Sequence, residues 1–199
     1  MQRRIGLTLL CFGLWLAAAL PMAAANPVRT DHVEVELVTT RQALVAGGTT
    51  QMALRQDLEA GWHTYWRNPG DSGESTRIDW DLPPGVSISP FTWPAPHRLP
   101  LGPLVNYGYE GEVLLPFTVT LEDNIQGPVR LVAHASWLVC KDICIPEEAK
   151  LEITVPVEPR PTPTAWAQRI EAVLAAAPAP RADWITHWQP TATGATLAV

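Results

Sequence analysis

Short stretches of alternating apolar and polar residues, divided by Pro- and Gly-rich punctuation, run through most of the chain. HVEVELV (32–38), TQMALRQDL (50–58), WHTYWR (62–67), RIDWDL (77–82), VSISPFTW (86–93), EVLLPFTVTL (112–121), VRLVAHASWLV (129–139) and AKLEITVPV (149–157) carry the strand signature. NPGDSG (68–73), PPG (83–85) and NIQGP (124–128) supply turn chemistry between them. No helical period occurs before residue 160. The pattern predicts one all-β domain, an antiparallel β-sandwich of immunoglobulin-like type.

PVEPRPTP (156–163) breaks that pattern as a stiff linker. TAWAQRIEAVLAAA (164–177) follows, with Trp166, Ile170, Val173 and Ala177 on one helical face. Thr164 is the expected N-cap, and Pro178 and Pro180 stop the helix. The last residues, ATLAV, read as the opening of another strand. The expected division is therefore a sandwich over 26–158, then a linker, a helix and the start of a second β-sandwich over 159–199.

The N-terminus changes the setting. MQRRIGLTLLCFGLWLAAALPMAAANPV has a basic start, an apolar run from Ile5 to Leu20 and small residues at Ala23–Ala25. That is the layout of a cleavable secretory signal over 1–25, and the run is shorter than the roughly 20 residues a bilayer requires. Cys11 lies inside it, so a mature chain keeps two cysteines, Cys140 and Cys144. An even count in an exported chain points to a disulfide-permissive compartment. The formal net charge is −6, and loss of Arg3 and Arg4 makes it more negative. That composition excludes nucleic acid and anionic membrane surfaces as partners, since both reward clustered Lys and Arg.

The candidate chemistry lies in SWLVCKDICIPEE (136–148). Along 129–139, Val129, Leu131, Ala133, Ala135, Trp137 and Val139 share an apolar face, and parity puts Cys140 on the other, more polar one. A hairpin with Cys140 opposite Cys144 sets Ala133 against Leu151, Leu131 against Ile153 and Val129 against Val155. Each pair is apolar, so the register is self-consistent. Directly opposed residues lie about 4.5 Å apart at Cα, within disulfide reach. The bond then sits on the outer face of a hairpin tip rather than between the sheets.

Three roles remain open for the pair. As a staple it closes so short a loop that it contributes only about 2 kcal/mol. As a metal site it lacks a second cysteine pair, although His134, His63 or His97 are possible third ligands. As an exchanging dithiol it needs access, a partner surface and shielding groups; Lys141 favours the thiolate and Asp142 opposes it. No GxSxG motif supports a serine hydrolase.

GWHTYWRNPGDSG (61–73), WPAPHRLPLGPLVNYGYEGEVLLP (93–116) and SWLVCKDICIPEEAKLEITVP (136–156) together resemble the periplasmic N-terminal domain of the DsbD/ScsB family of transmembrane disulfide reductases. The resemblance spans about 30–158 and is nearer the ScsB-type branch, linked to copper-stress tolerance, because DsbD spaces its cysteines more widely. It implies a redox-active pair, Cys140 and Cys144, with no bound cofactor or metal. It implies electrons arriving from a membrane-embedded reductase domain and leaving to periplasmic thioredoxin-like or disulfide isomerase-like proteins through mixed disulfides. By the same analogy Cys144 attacks and Cys140 resolves. LGPLVNYGYEGE (101–112) stands where the family has a cap loop, making Tyr107 and Tyr109 the expected shielding rings, while WHTYW makes Trp62 and Tyr65 expected neighbours of the pair. The family's membrane and thioredoxin-like domains do not occur in these 199 residues, so the expectation is a piece of a longer protein. Two other readings stand beside it: a non-enzymatic β-sandwich interaction module with a structural disulfide, and a copper-handling protein.

Overall fold

A computed structural model describes residues 26–178, 187–191 and 194–198; the expected signal at 1–25 lies outside them. Strands β1 (Val28–Arg29), β2 (Val33–Thr39), β3 (Thr49–Leu58), β4 (His63–Gly70), β5 (Arg77–Asp81), β6 (Val86–Ile88), β7 (His97–Leu101) and β8 (Leu104–Glu110) come first. β9 (Glu112–Leu121), β10 (Val129–Cys140), β11 (Cys144–Val155), helix α1 (Ala167–Ala176), β12 (His187–Thr191) and β13 (Gly194–Ala198) follow. One sheet has the order β1-β2-β3-β9-β6 and the other β11-β10-β4-β8-β7, with β5 also pairing with β10. All these pairings are antiparallel. The architecture is the expected all-β, immunoglobulin-like sandwich.

Alternation dictates what the sheets enclose. Val33, Val35, Leu37, Met52, Leu54, Leu115, Phe117 and Val119 from one sheet meet Leu131, Ala133, Ala135, Trp137, Val139 and Leu151 from the other, all buried. The β10–β11 ladder has the register expected from the sequence, with Val129 opposite Val155, Leu131 opposite Ile153, Ala133 opposite Leu151 and Cys140 opposite Cys144. The β1–β2 connection is tied to β11: Thr30 Oγ1 donates to Glu147 Oε2 at 2.5 Å and the His32 amide to Glu147 Oε1 at 3.0 Å.

Two elements differ from expectation. The segment expected to be a loop, 101–112, is mostly strand: β8 pairs with both β7 and β4. Pro100 and Pro103 made it read as irregular, yet β7 is an edge strand, where proline removes no needed ladder bond. The helix starts later than expected, because its N-cap is Trp166 without a side-chain cap. Thr164 acts one step earlier: its hydroxyl accepts from the Trp166 amide at 3.1 Å and donates to the Thr39 carbonyl. Ile170 of α1, with Trp166, Val173 and Leu174, covers Val38, Ala53 and Leu114 on the outer face of the first sheet. The C-terminal strand expected from ATLAV pairs as β13 with β12.

Candidate functional site

Cys140 ends β10, Cys144 begins β11, and Lys141–Ile143 turn between them, the Lys141 amide donating to the Ile143 carbonyl at 3.1 Å. The two sulfurs are bonded, with Cα atoms 4.1 Å apart. Their surroundings are unequal. Cys140 is 1% exposed, whereas Cys144 is exposed and borders Ile143, itself 65% exposed. Cys140 shares the outer face of β10 with Ser136 and His134, outside the core cluster, so its burial comes from a neighbouring strand.

That strand is β4. His63 is directly opposite Cys140, and Tyr65 lies two residues further along the same face. The Tyr65 hydroxyl donates to the sulfurs, 2.9 Å from Cys140 Sγ and 3.4 Å from Cys144 Sγ. Tyr65 is wholly buried and desolvation raises its pKa, so the phenol keeps its proton and remains a donor. The His63 ring meets Tyr65 edge-on with centroids 5.2 Å apart. Burial lowers the His63 pKa, and the Glu110 carboxylate, opposite it on β8, pulls the other way.

A second layer holds Tyr65. A Cβ added at Gly73, whose φ is +97°, would fall 2.3 Å from Tyr65 Cε1, so only glycine lets this backbone lie against the ring. The segment before it is clamped to β8. Asp71 Oδ2 accepts from the Val105 amide at 2.7 Å, and Asn106 Oδ1 accepts from the Ser72 amide and hydroxyl, both at 3.1 Å. Asn106 is fully buried, and its Nδ2 has no partner.

The expected neighbours therefore separate. Tyr65 covers the pair. Trp62, one residue out of phase with His63, packs with the core residues and stacks on His32 at 3.7 Å. Tyr109 also belongs to the core cluster, with its hydroxyl donating to the Pro94 carbonyl at 2.8 Å; Tyr107 is 37% exposed on the same strand. Neither hydroxyl bonds a sulfur among the described contacts, whereas the Tyr65 hydroxyl does and its ring packs against Gly73. His134 pairs with Asp81 at 3.1 Å and His97 is exposed on β7. Among the described residues no group of three or more His, Cys, Asp or Glu is placed to hold a metal. His63 was expected beside the pair only as a possible metal ligand, and alternation in WHTYW was the signal for its place on the Tyr65 face; Asn106 and Gly73 did not stand out, and nothing local marks them.

The family model described as "Thiol:disulfide interchange protein DsbD, N-terminal" matches residues 34–156, which contain the pair, the covering tyrosine and both sheets apart from β1 and the first residue of β2. The chain belongs to this family. The DsbD-type domain is also similar to the crystal structure of the N-terminal periplasmic domain of ScsB from Proteus mirabilis, at 20% identity and a TM-score of 0.64. That alignment covers 84% of this chain and 64% of the solved one, so the chain spans less than two thirds of that structure. The yeast GGA1 GAE domain aligns at 12% identity over 63% of this chain and 95% of its own, with a TM-score of 0.34. No curated protein matches the chain significantly. Among the described residues of this DsbD-type domain, no helix is long and apolar enough to cross a membrane.

Proposed function

We propose that this chain is a periplasmic thiol–disulfide exchange module, residues 26–158, that relays two electrons through Cys140 and Cys144. The observation that carries the reading is the unequal exposure of one bonded pair: an exposed cysteine beside a cysteine buried under a phenol. A structural clip has no use for that asymmetry, whereas ordered exchange requires it.

In the reductive half, a donor thiolate attacks Cys144 Sγ, the Cys140–Cys144 bond breaks, and Cys140 leaves as a thiolate toward the Tyr65 hydroxyl. The donor's second thiolate then attacks the donor sulfur of the mixed disulfide. The donor departs as its own disulfide and Cys144 is freed. In the oxidative half, the Cys144 thiolate attacks a partner disulfide. Cys140 then attacks Cys144 Sγ, the pair re-forms, and the partner leaves as a dithiol. Two electrons and two protons pass in each half. A membrane-embedded reductase domain as donor and thioredoxin-like proteins as acceptors fit the family membership. The exposed Ile143 gives such partners an apolar contact beside Cys144.

The test is the reduction potential of the pair, equilibrated in graded thiol buffers and read by alkylation mass shift. A value between roughly −180 and −270 mV is expected for exchange. A value below about −300 mV belongs to structural disulfides and overturns the relay.

A further inference from the structure

The exchange reading assigns Cys140 the second attack, and that sulfur is 1% exposed. Burial away from water disfavours a thiolate, so the thiol needs a base beside it before it can attack. We propose that His63 accepts the proton of the Cys140 thiol when Cys140 attacks Cys144 to release a bound partner; the inference rests on the exchange reading above.

Geometry selects the imidazole. His63 is the cross-strand partner of Cys140 in the β10–β4 ladder, and such pairs have Cβ atoms about 4.5–5.5 Å apart on one face. It is 9% exposed, and its buried Nε2 has no hydrogen-bond partner in the disulfide form. A buried ring nitrogen without a partner is unfavourable, and a resting structural role gives no reason to keep one there. A proton acceptor that waits for a thiol does explain it.

The other groups around the pair are unsuited. The Tyr65 phenol holds its proton, because burial raises its pKa. The Glu110 carboxylate is exposed and lies across His63 on β8, on the side away from β10. Lys141 is cationic, and its side chain lies over Gly61, with Nζ 3.3 Å from where a Gly61 Cβ would stand. Burial also lowers the His63 pKa, which disfavours the imidazolium, and Glu110 opposes that effect.

The step balances. Cys140 S–H gives its proton to His63, and the resulting thiolate attacks Cys144 Sγ. The bond between Cys144 and the partner breaks, the partner leaves as a thiolate, and His63 returns the proton to it or to water. No outside oxidant enters, since the partner's disulfide supplies the oxidising equivalents.

The experiment mixes the reduced chain with Ellman's reagent in a stopped-flow instrument. Attack by Cys144 releases the first coloured thiolate, and resolution by Cys140 releases the second. His63→Gln should slow the second phase relative to the first by on the order of 100-fold and flatten its pH profile. Glu110→Gln, which withdraws a charge that raises the His63 pKa, should move the inflection of that profile to lower pH. A second phase with unchanged rate and profile in His63→Gln overturns the assignment. Should that variant not fold, an unmoved inflection in Glu110→Gln overturns it alone. Failure of the exchange reading looks different: the reduction potential of the pair would then lie in the range of structural disulfides, whatever His63→Gln does to the second phase.

Discussion

The two outer faces of the sandwich each bury a chemically demanding group under an aromatic ring, and they complete its surroundings in opposite ways. On the first sheet, Arg55 lies near the Trp166 ring, 5.7 Å from its centroid. Its guanidinium meets Asp57 at 2.6 Å, Glu112 at 2.7 Å, Glu34 at 3.1 Å and Glu36 at 3.8 Å. On the second, the disulfide lies under Tyr65; His63 Nε2 on the strand opposite Cys140 and Asn106 Nδ2 in the layer behind Tyr65 are buried with no partner. A network in which each guanidinium nitrogen donates to a carboxylate holds one arrangement and resists change. A pocket with unmatched polar atoms is incomplete until chemistry or a partner completes it. The sandwich keeps a helix on one side and a reaction on the other.

The contrast can be broken most forcefully at the helix. Ile170 is fully buried between α1 and β9, so Ile170→Ala should cost about 2 kcal/mol or more in urea unfolding. The reduction potential should stay at the wild-type value; a shift there would mean that the two faces are coupled. At the other face, Tyr65→Phe removes a hydroxyl-to-sulfur bond worth about 1 kcal/mol. Titration of thiolate absorbance in the reduced chain should then show the Cys140 pKa raised by about 0.7 of a pH unit. An unchanged titration would reduce Tyr65 to a cover.

The smallest effect is electrostatic. Burial, assisted by Glu34 and opposed by Arg55, holds the Glu36 pKa above its usual range. A carboxyl whose folded pKa is raised penalises folding once pH exceeds its unfolded value, and the penalty is complete above the folded one. Glu36→Gln should therefore stabilise the chain slightly at neutral pH, with the gain vanishing as pH falls below the ordinary glutamate range. Urea midpoints at neutral and acid pH measure it, and a gain confined to acid pH would reverse the sign of the argument.

How much of this was legible follows from the range of each signal. The β10–β11 register could be read because every inward pair is apolar, and a slip by one residue would turn the whole set outward. β7 and β8 were hidden by Pro100, Gly102 and Pro103, which look irregular when the partner strand is unknown. Trp62 and Tyr65 were expected together, yet three residues apart on a strand they face opposite sides, and that rule needed only the sequence. Asn106 and Ser72 are joined by bonds spanning 34 positions, and no local pattern encodes such a contact.

The ladder from Val129–Val155 to Val139–Ile145 continues without a break up to the cysteines. Breaking the sulfur bond therefore frees no segment of chain, and both thiols stay where the sheet sets them. Each is presented to the other at the high effective molarity of a fixed intramolecular geometry. In the exchange proposed above, ring closure is itself the step that releases a bound partner, so covalent encounters with this domain are expected to be brief.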